Sequence, residues 1–308
     1  MVAVKNSVLG VCAAGVCVGV AVAAIQPSQG RVTFPKATSW DHQGLTGIRG
    51  VDVSRWQHVG PGTLDFGKLQ AQGVRFVVIK SGDSFSSAHS EAGYWYSRDK
   101  AAAKRAKLLV GAYYYAVPTS TSSRVVADAR AQARKASARV GVLPKGHLPL
   151  ALDLETDSTS LGKADLTKWA VTWLKVVEKR TGRTPWFYTY TRYLERRLTP
   201  DPQLTKYPFW HANWGLYLDQ EPLQPAGWPA SPWKIWQFTD SGKLAGSGST
   251  VLDLNVYRGT GRELLAEAGL GPKAATKYDI PLGEDPTVEP SASPSGSVLP
   301  TASATVTP

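Results

Sequence analysis

From Gly47 to about Gly271 the chain alternates short runs of β-branched and aromatic residues with stretches of helical periodicity. That alternation constrains the fold more than any other feature. The spacing predicts strands at Ile48–Val53, Arg75–Lys80, Leu109–Tyr115, Leu148–Leu154, Pro185–Tyr190, Phe209–Asn213, Lys234–Phe238 and Val251–Leu254. Helices are predicted at Ser97–Lys107, Ser123–Val140 and Asp165–Arg180. In the last of these, Leu166, Trp169, Trp173 and Val177 recur at helical spacing, so both tryptophans read as core. Arg130, Arg134, Lys135 and Arg139 stand among alanines and read as a solvated helix face. Strands alternating with helices imply an α/β fold on a mainly parallel sheet, either open or closed into a barrel. The later strands follow one another without clear helices, so a barrel built from them would be irregular.

The two ends of the chain differ from this central region. Ser7–Ile25 is uncharged, rich in Val, Ala and Gly, and preceded by Lys5. Residues 1–23 therefore read as a secretory signal peptide with Ala21-Val22-Ala23 as its cleavage site, an uncleaved anchor being the alternative. Residues 24–47 read as a polar linker. Both cysteines, Cys12 and Cys17, lie in the leader, so the mature protein would carry no disulfide. Residues 272–308, rich in Pro, Ser, Thr and Ala, read as a disordered tail. One domain, 48–271, is left between them.

The formal charge is +11, and loss of the leader removes only Lys5. A basic secreted protein is drawn to acidic surfaces such as a cell envelope. Nucleic acid is the rival partner for that charge, but the basic residues are scattered and no helix-turn-helix, zinc-finger or RNP-type pattern occurs, so no nucleic acid is expected. Five scattered histidines and no His-Glu-x-x-His pattern argue against zinc. Neither a phosphate-binding glycine loop nor a Gly-x-Ser-x-Gly elbow is present. The expectation is a monomer with no cofactor, no metal and no stable membrane insertion after cleavage.

The chemistry concentrates in Leu148-Pro149-Leu150-Ala151-Leu152-Asp153-Leu154-Glu155-Thr156. On a strand, Asp153 and Glu155 share one face, and Leu152 and Leu154 share the other. Two carboxylates about 6.5–7 Å apart along the backbone at the mouth of a buried strand cannot both ionise as in water, so one pKa should rise. A protonated acid beside an ionised one is what hydrolysis of a glycosidic bond requires. A strand simply emerging into solvent is the competing reading. Asp52 and Asp253 lie in two further strand candidates, and acids at separate strand ends converge on one cleft if the sheet closes.

Eight segments, in order from about residue 50 to 257, resemble the glycoside hydrolase family 25 muramidases, the Chalaropsis-type lysozymes. They are Gly50-Val51-Asp52-Val53-Ser54-Arg55-Trp56-Gln57, Phe76-Val77-Val78-Ile79-Lys80, Gly111-Ala112-Tyr113, Leu152-Asp153-Leu154-Glu155, Phe187-Tyr188-Thr189, Phe209-Trp210, Ile235-Trp236-Gln237-Phe238 and Val251-Leu252-Asp253-Leu254-Asn255. The resemblance implies a single irregular (β/α) barrel that cleaves the β-1,4 bond between N-acetylmuramic acid and N-acetylglucosamine in peptidoglycan. It implies Glu155 as general acid, Asp153 as the residue that orients or stabilises the substrate's acetamido group, and Asp52 and Asp253 as the rest of the acidic floor. Substrate-assisted retention is the expected route. The chain departs from the family at Lys80-Ser81-Gly82-Asp83-Ser84, where Asp83 replaces a longer acid, and at Ala112-Tyr113-Tyr114-Tyr115, where a histidine is lost.

Trp210, Trp214 and Trp236 near strand ends, with Tyr113 and Tyr188, are candidate saccharide contacts, core packing being the alternative. Lys80 and Asp83 are candidate substrate-binding residues, although the Lys80 ammonium could instead reach the surface. The rivals to a secreted muramidase are a glycosidase of another N-acetylated polymer such as chitin, and a catalytically dead wall-binding protein on the same barrel.

Overall fold

The computed structural model describes residue 40, residues 47–59, 62–84, 91–214, 222, 227–228, 233–248 and 251–283. The expected leader, most of the linker and residues 284–308 of the expected tail lie outside the described residues. In chain order the elements are β1 (Ile48–Val53), α1 (Phe66–Ala71), β2 (Phe76–Asp83), α2 (Glu91–Arg105), β3 (Leu109–Tyr115), α3 (Val125–Val140), β4 (His147–Asp153), α4 (Lys163–Thr181) and β5 (Trp186–Tyr190), then α5 (Thr191–Arg197), α6 (Pro202–Thr205), β6 (Phe209–Ala212), β7 (Ile235–Gly242), β8 (Leu252–Tyr257), α7 (Gly261–Glu267) and α8 (Ala275–Tyr278).

The eight strands close into a barrel in sequence order. Strands β1 to β7 run parallel, whereas β8 is antiparallel to both of its neighbours, β7 and β1. The sequence pattern places all eight strands but does not reveal that β8 is reversed. Reversal brings the start of β8, rather than its end, to the mouth of the barrel, and Asp253 is its second residue. A parallel last strand would have put Asp253 at the closed end.

Each wall residue faces either the barrel interior or the surrounding helices. Val51, Val77, Ala112, Leu152, Phe187 and Leu254 face outward into a buried layer with Ala129 and Ala133 of α3 and Leu166, Trp169, Trp173 and Val177 of α4. Trp169 and Trp173 are fully buried, as the helical spacing predicts. Inside the lower barrel, Ile48, Phe76, Val78, Leu109, Leu148, Trp186 and Tyr257 form a second apolar cluster. Gly50 is required there, because a Cβ at this position would sit 2.1 Å from the Phe76 ring.

Strand β4 breaks its own alternation once. Leu148 packs inside and Leu150 outside, yet Ala151 is again inside and Leu152 outside. The pairing shows the cause: Val110 and Ala112 of β3 face His147 and Leu150 of β4, so one extra residue bulges out around Pro149. Proline fits a bulge because it has no N–H to give to the ladder. The bulge fixes the phase in which Asp153 points inward.

Beyond residue 271 the ordered chain continues. Pro272–Ala274 form a 3₁₀ turn, α8 follows, and Tyr278 and Ile280 pack with Leu264, Leu265 and Ala268 onto the lower-barrel cluster. Composition assigns residues 272–283 to the tail because its Pro, Lys and Ala content masks two apolar anchors. Trp40, assigned to the linker, is likewise buried, edge-on to Phe238 with ring centroids 5.6 Å apart.

Candidate active site

The C-terminal ends of β1 to β7 and the start of β8 surround a cleft of about 250 Å³ lined by Asp52, Tyr113, Asp153, Glu155, Tyr188, Trp210, Trp214, Gln237, Asp240 and Asp253. All four acids singled out in the sequence therefore meet in one cleft. The alternative of a strand emerging into solvent does not describe Asp153, which is 5% exposed.

Asp52 and Asp253 are directly opposed in the antiparallel β1–β8 register and share a hydrogen bond. Burial, reinforced by the charge on Asp52, pushes Asp253 up to about 9, so at neutral pH Asp253 holds the proton and donates it to Asp52. Burial also raises Asp52, but two amides oppose that rise: Asn255 Nδ2 donates to Asp52 Oδ2 at 2.7 Å and Gln237 Nε2 at 2.9 Å. Those amides are held in turn by indole and phenol donors. Asn255 Oδ1 accepts from Trp210 Nε1 at 2.7 Å, and Gln237 Oε1 accepts from Trp214 Nε1 and from the Tyr188 hydroxyl, both at 3.0 Å.

On the other side of the cleft, burial pushes Glu155 up to about 7, with the Asp52 charge adding to the rise and Lys80 opposing it. The Tyr188 hydroxyl lies within hydrogen-bond reach of Glu155 as well as of Gln237. Asp153 is raised well above the ordinary carboxylate range, by burial first and by Glu155 second, again against Lys80. Asp153 Oδ1 is buried and has no hydrogen-bond partner among the described residues. The cleft thus offers an acid titrating near neutrality, beside an inward carboxyl oxygen suited to an N–H or O–H donor from a ligand.

The aromatic candidates separate by strand face. Tyr188 and Trp210 form the inner wall, ring centroids 4.8 Å apart, with Tyr113 edge-on to Trp210 at 6.3 Å. Trp214, 41% exposed, stands at the cleft rim. Trp236 is a correction: it lies on the outer face of β7, 1% exposed, donating Nε1 to the Asn213 carbonyl at 2.9 Å and packing on Trp233 and Phe238. Its neighbour Gln237 faces the cleft instead, as strand alternation requires.

Asp83 does not line the cleft either. It is buried at the end of β2, beyond a register shift between Lys80 and Gly82, with its carboxylate 3.4 Å from Lys80 Nζ. Lys80, which also lies 4.9 Å from the Tyr115 ring centroid, acts on Asp153 and Glu155 through its charge. The lost histidine position is occupied by Tyr114, which faces α4 with its ring centroid 6.2 Å from that of Trp173 and does not touch the cleft.

Sequence reasoning missed Gln237, Asn255 and Asp240 as site residues. For Gln237 and Asn255 the signal was present: each is a polar residue alternating with apolar ones, Trp236 and Phe238 or Leu254 and Val256. For Asp240 it was not, since register shifts between Gln237 and Gly242 reset the alternation. Among the described residues no group of three or more His, Cys, Asp or Glu could hold a metal ion, and no helix is long and apolar enough to cross a membrane.

Comparison with known proteins agrees with this arrangement. The uncharacterized protein YegX of Escherichia coli O6:H1 is 31% identical over 222 residues, 70% of this chain and 72% of YegX. Lysozyme M1 of Streptomyces globisporus is 27% identical over 231 residues, 72% of each chain. The bacterial lysozyme from Streptomyces coelicolor superimposes with a TM-score of 0.58 and 26% identity, covering 72% of this chain and 97% of that one. Residues 51–247, from the strand of Asp52 to the turn before β8, match the family model of Glycosyl hydrolases family 25. The chain belongs to glycosyl hydrolase family 25 and is a glycoside hydrolase of the lysozyme type.

Proposed function

We propose that this protein is a secreted muramidase that hydrolyses the β-1,4 bond after N-acetylmuramic acid in peptidoglycan, with Glu155 as general acid. The observation that carries this reading is the carboxyl group of Glu155, held near pKa 7 in a cleft that also holds Asp153. Protonated Glu155 gives its proton to the glycosidic oxygen as the C1–O bond breaks. The acetamido carbonyl oxygen of the muramic acid residue attacks C1 from the opposite face, and Asp153 accepts the amide N–H whose nitrogen gains positive character. Water then attacks C1, breaking the bond to the acetamido oxygen and restoring the N-acetyl group, while its proton passes to the Glu155 carboxylate, which regenerates the acid with retained configuration. The unpartnered Asp153 Oδ1 supports this role, because an acceptor without a donor in the free enzyme is open to one from the substrate. Trp214 and Tyr113 would hold sugar rings at the cleft walls.

The test is digestion of purified peptidoglycan by wild type and by Glu155→Gln, with mass spectrometry of the fragments and NMR of the first-formed anomer. New reducing-end muramic acid from wild type alone, formed with retention, is expected. Inversion would exclude the substrate-assisted step, and near-normal cleavage by Glu155→Gln would exclude Glu155 as the acid.

A further inference from the structure

Large apolar side chains with substantial exposure are unevenly placed. Among the described residues they are Trp56, Val59, Tyr94, Val142, Trp214 and Val251. Trp214 lines the cleft, and Val251 precedes β8 at the mouth, where its carbonyl accepts from Gln57 Nε2 at 3.2 Å. Trp56 and Val59 lie just beyond the C-terminal end of β1, in and after the short 3₁₀ turn Arg55–His58. Tyr94 lies in the first turn of α2. Only Val142, in the connection leading into β4, belongs to the opposite end.

Trp56 and Tyr94 are 58% and 59% exposed, more than Trp214 in the cleft itself. The turn that carries Trp56 and the helix that carries Tyr94 are tied together by side-chain contacts. His58 stacks on Trp95, with ring centroids 3.7 Å apart and planes 7° from parallel, and its Nε2 lies 2.8 Å from the buried Asp99 carboxylate. This joins the turn after β1 to the start of α2. Tyr94 packs edge-on to Trp95 at 5.0 Å. Each end of the surface carries a guanidinium on a ring: Arg55 lies 4.5 Å over Trp56, while Arg98 lies 5.2 Å over Trp95 and donates to the Tyr94 hydroxyl at 3.4 Å.

We infer that this ridge, from Trp56 through His58 and Trp95 to Tyr94, is a second docking surface for peptidoglycan, outside the cleft, which takes a glycan strand bearing anionic stem peptides. Exposed rings present flat apolar faces to the C–H faces of sugars. The Arg55 and Arg98 guanidinium groups over Trp56 and Trp95 add positive charge beside the rings, which attracts the carboxylates that stem peptides carry. A polymeric, insoluble substrate makes such a surface useful: contact beside the cleft raises the local concentration of scissile bonds without entering the reaction. A chain with net charge +11 reinforces the choice of an anionic partner. The inference rests on the peptidoglycan reading above and goes beyond it.

The experiment uses the full chain carrying Glu155→Gln, sedimented with purified intact sacculi over a range of protein concentrations, with and without Trp56→Ala plus Tyr94→Ala. The expected result is about tenfold weaker retention for the ridge variant. Trp56→Phe plus Tyr94→Phe, which keeps both rings, should restore binding. In the active background, the ridge variant should show a several-fold lower ratio of activity on sacculi to activity on soluble glycan fragments. Retention of the alanine variant equal to that of its Glu155→Gln parent overturns the ridge. The peptidoglycan reading fails separately, through absence of reducing muramic acid when wild type is incubated with the same sacculi.

Discussion

Asp52 and Asp253 face each other across the antiparallel seam between β8 and β1 and share a hydrogen bond, with burial raising both carboxyl groups. The folded pKa of Asp253, about 9, lies above its ordinary value of 3.8. Its contribution to stability is therefore complete below pH 3.8 and is lost as pH rises through about 9. Asp253→Asn keeps a donor to Asp52 but nothing to titrate. Between pH 5 and pH 9 the wild-type melting temperature should fall more steeply than that of Asp253→Asn, the underlying difference in unfolding free energy growing by up to about 1.4 kcal/mol per pH unit. Parallel melting curves over that range would remove Asp253 as the proton holder.

Lys80 opposes the rise in pKa of Glu155 and of Asp153. With a general acid at about 7, kcat should decline as pH rises through that value, because the reactive form is the protonated one. Lys80→Met removes a nearby positive charge, which raises both carboxyl pKa values and moves this alkaline limb upward. A pH–rate profile of the two proteins on one substrate decides it.

Trp214 and Trp236 should respond oppositely to truncation. Trp214→Ala removes a partly exposed cleft wall and should raise KM with little change in melting temperature. Trp236→Ala empties a fully packed site behind the wall and should cost about 3–5 kcal/mol of stability by urea denaturation.

Gly50 leaves the space that the Phe76 ring fills. Gly50→Ala should destabilise the barrel by about 1–3 kcal/mol through overpacking, and Phe76→Leu in the same chain should recover part of that loss. Equal urea midpoints for wild type and Gly50→Ala would show that the lower barrel can shift to admit a methyl group.

The strands and the acids that line the cleft were readable because their signals are local. The run before Asp153 and Glu155 carries both the β pattern and the charge pair, and the Asp52 segment does the same. Other features depend on pairing between distant parts of the chain. The direction of β8 is set by its neighbours, β7 and β1, and no residue within Leu252–Tyr257 announces it. The facing of Trp236 turns on register, and propensity places it on β7 without choosing a side. Tyr278 and Ile280 anchor the end of the described chain only because the lower barrel presents an apolar surface, while their own neighbourhood is polar and proline-containing. Short helices such as α5 and α6 are too brief to show periodicity and are held by packing and an Asp201 cap.

The bulge at Pro149 gives β4 the equivalent of a reading frame in space. If the extra residue were kept in the regular pleat instead of bulging out, the strand could still pair with β3 and β5, but every later side chain would exchange faces. Asp153 would then turn toward the helices and Leu152 toward the substrate. The facing of the acids is thus set as much by how the segment before them absorbs its extra residue as by their own identity.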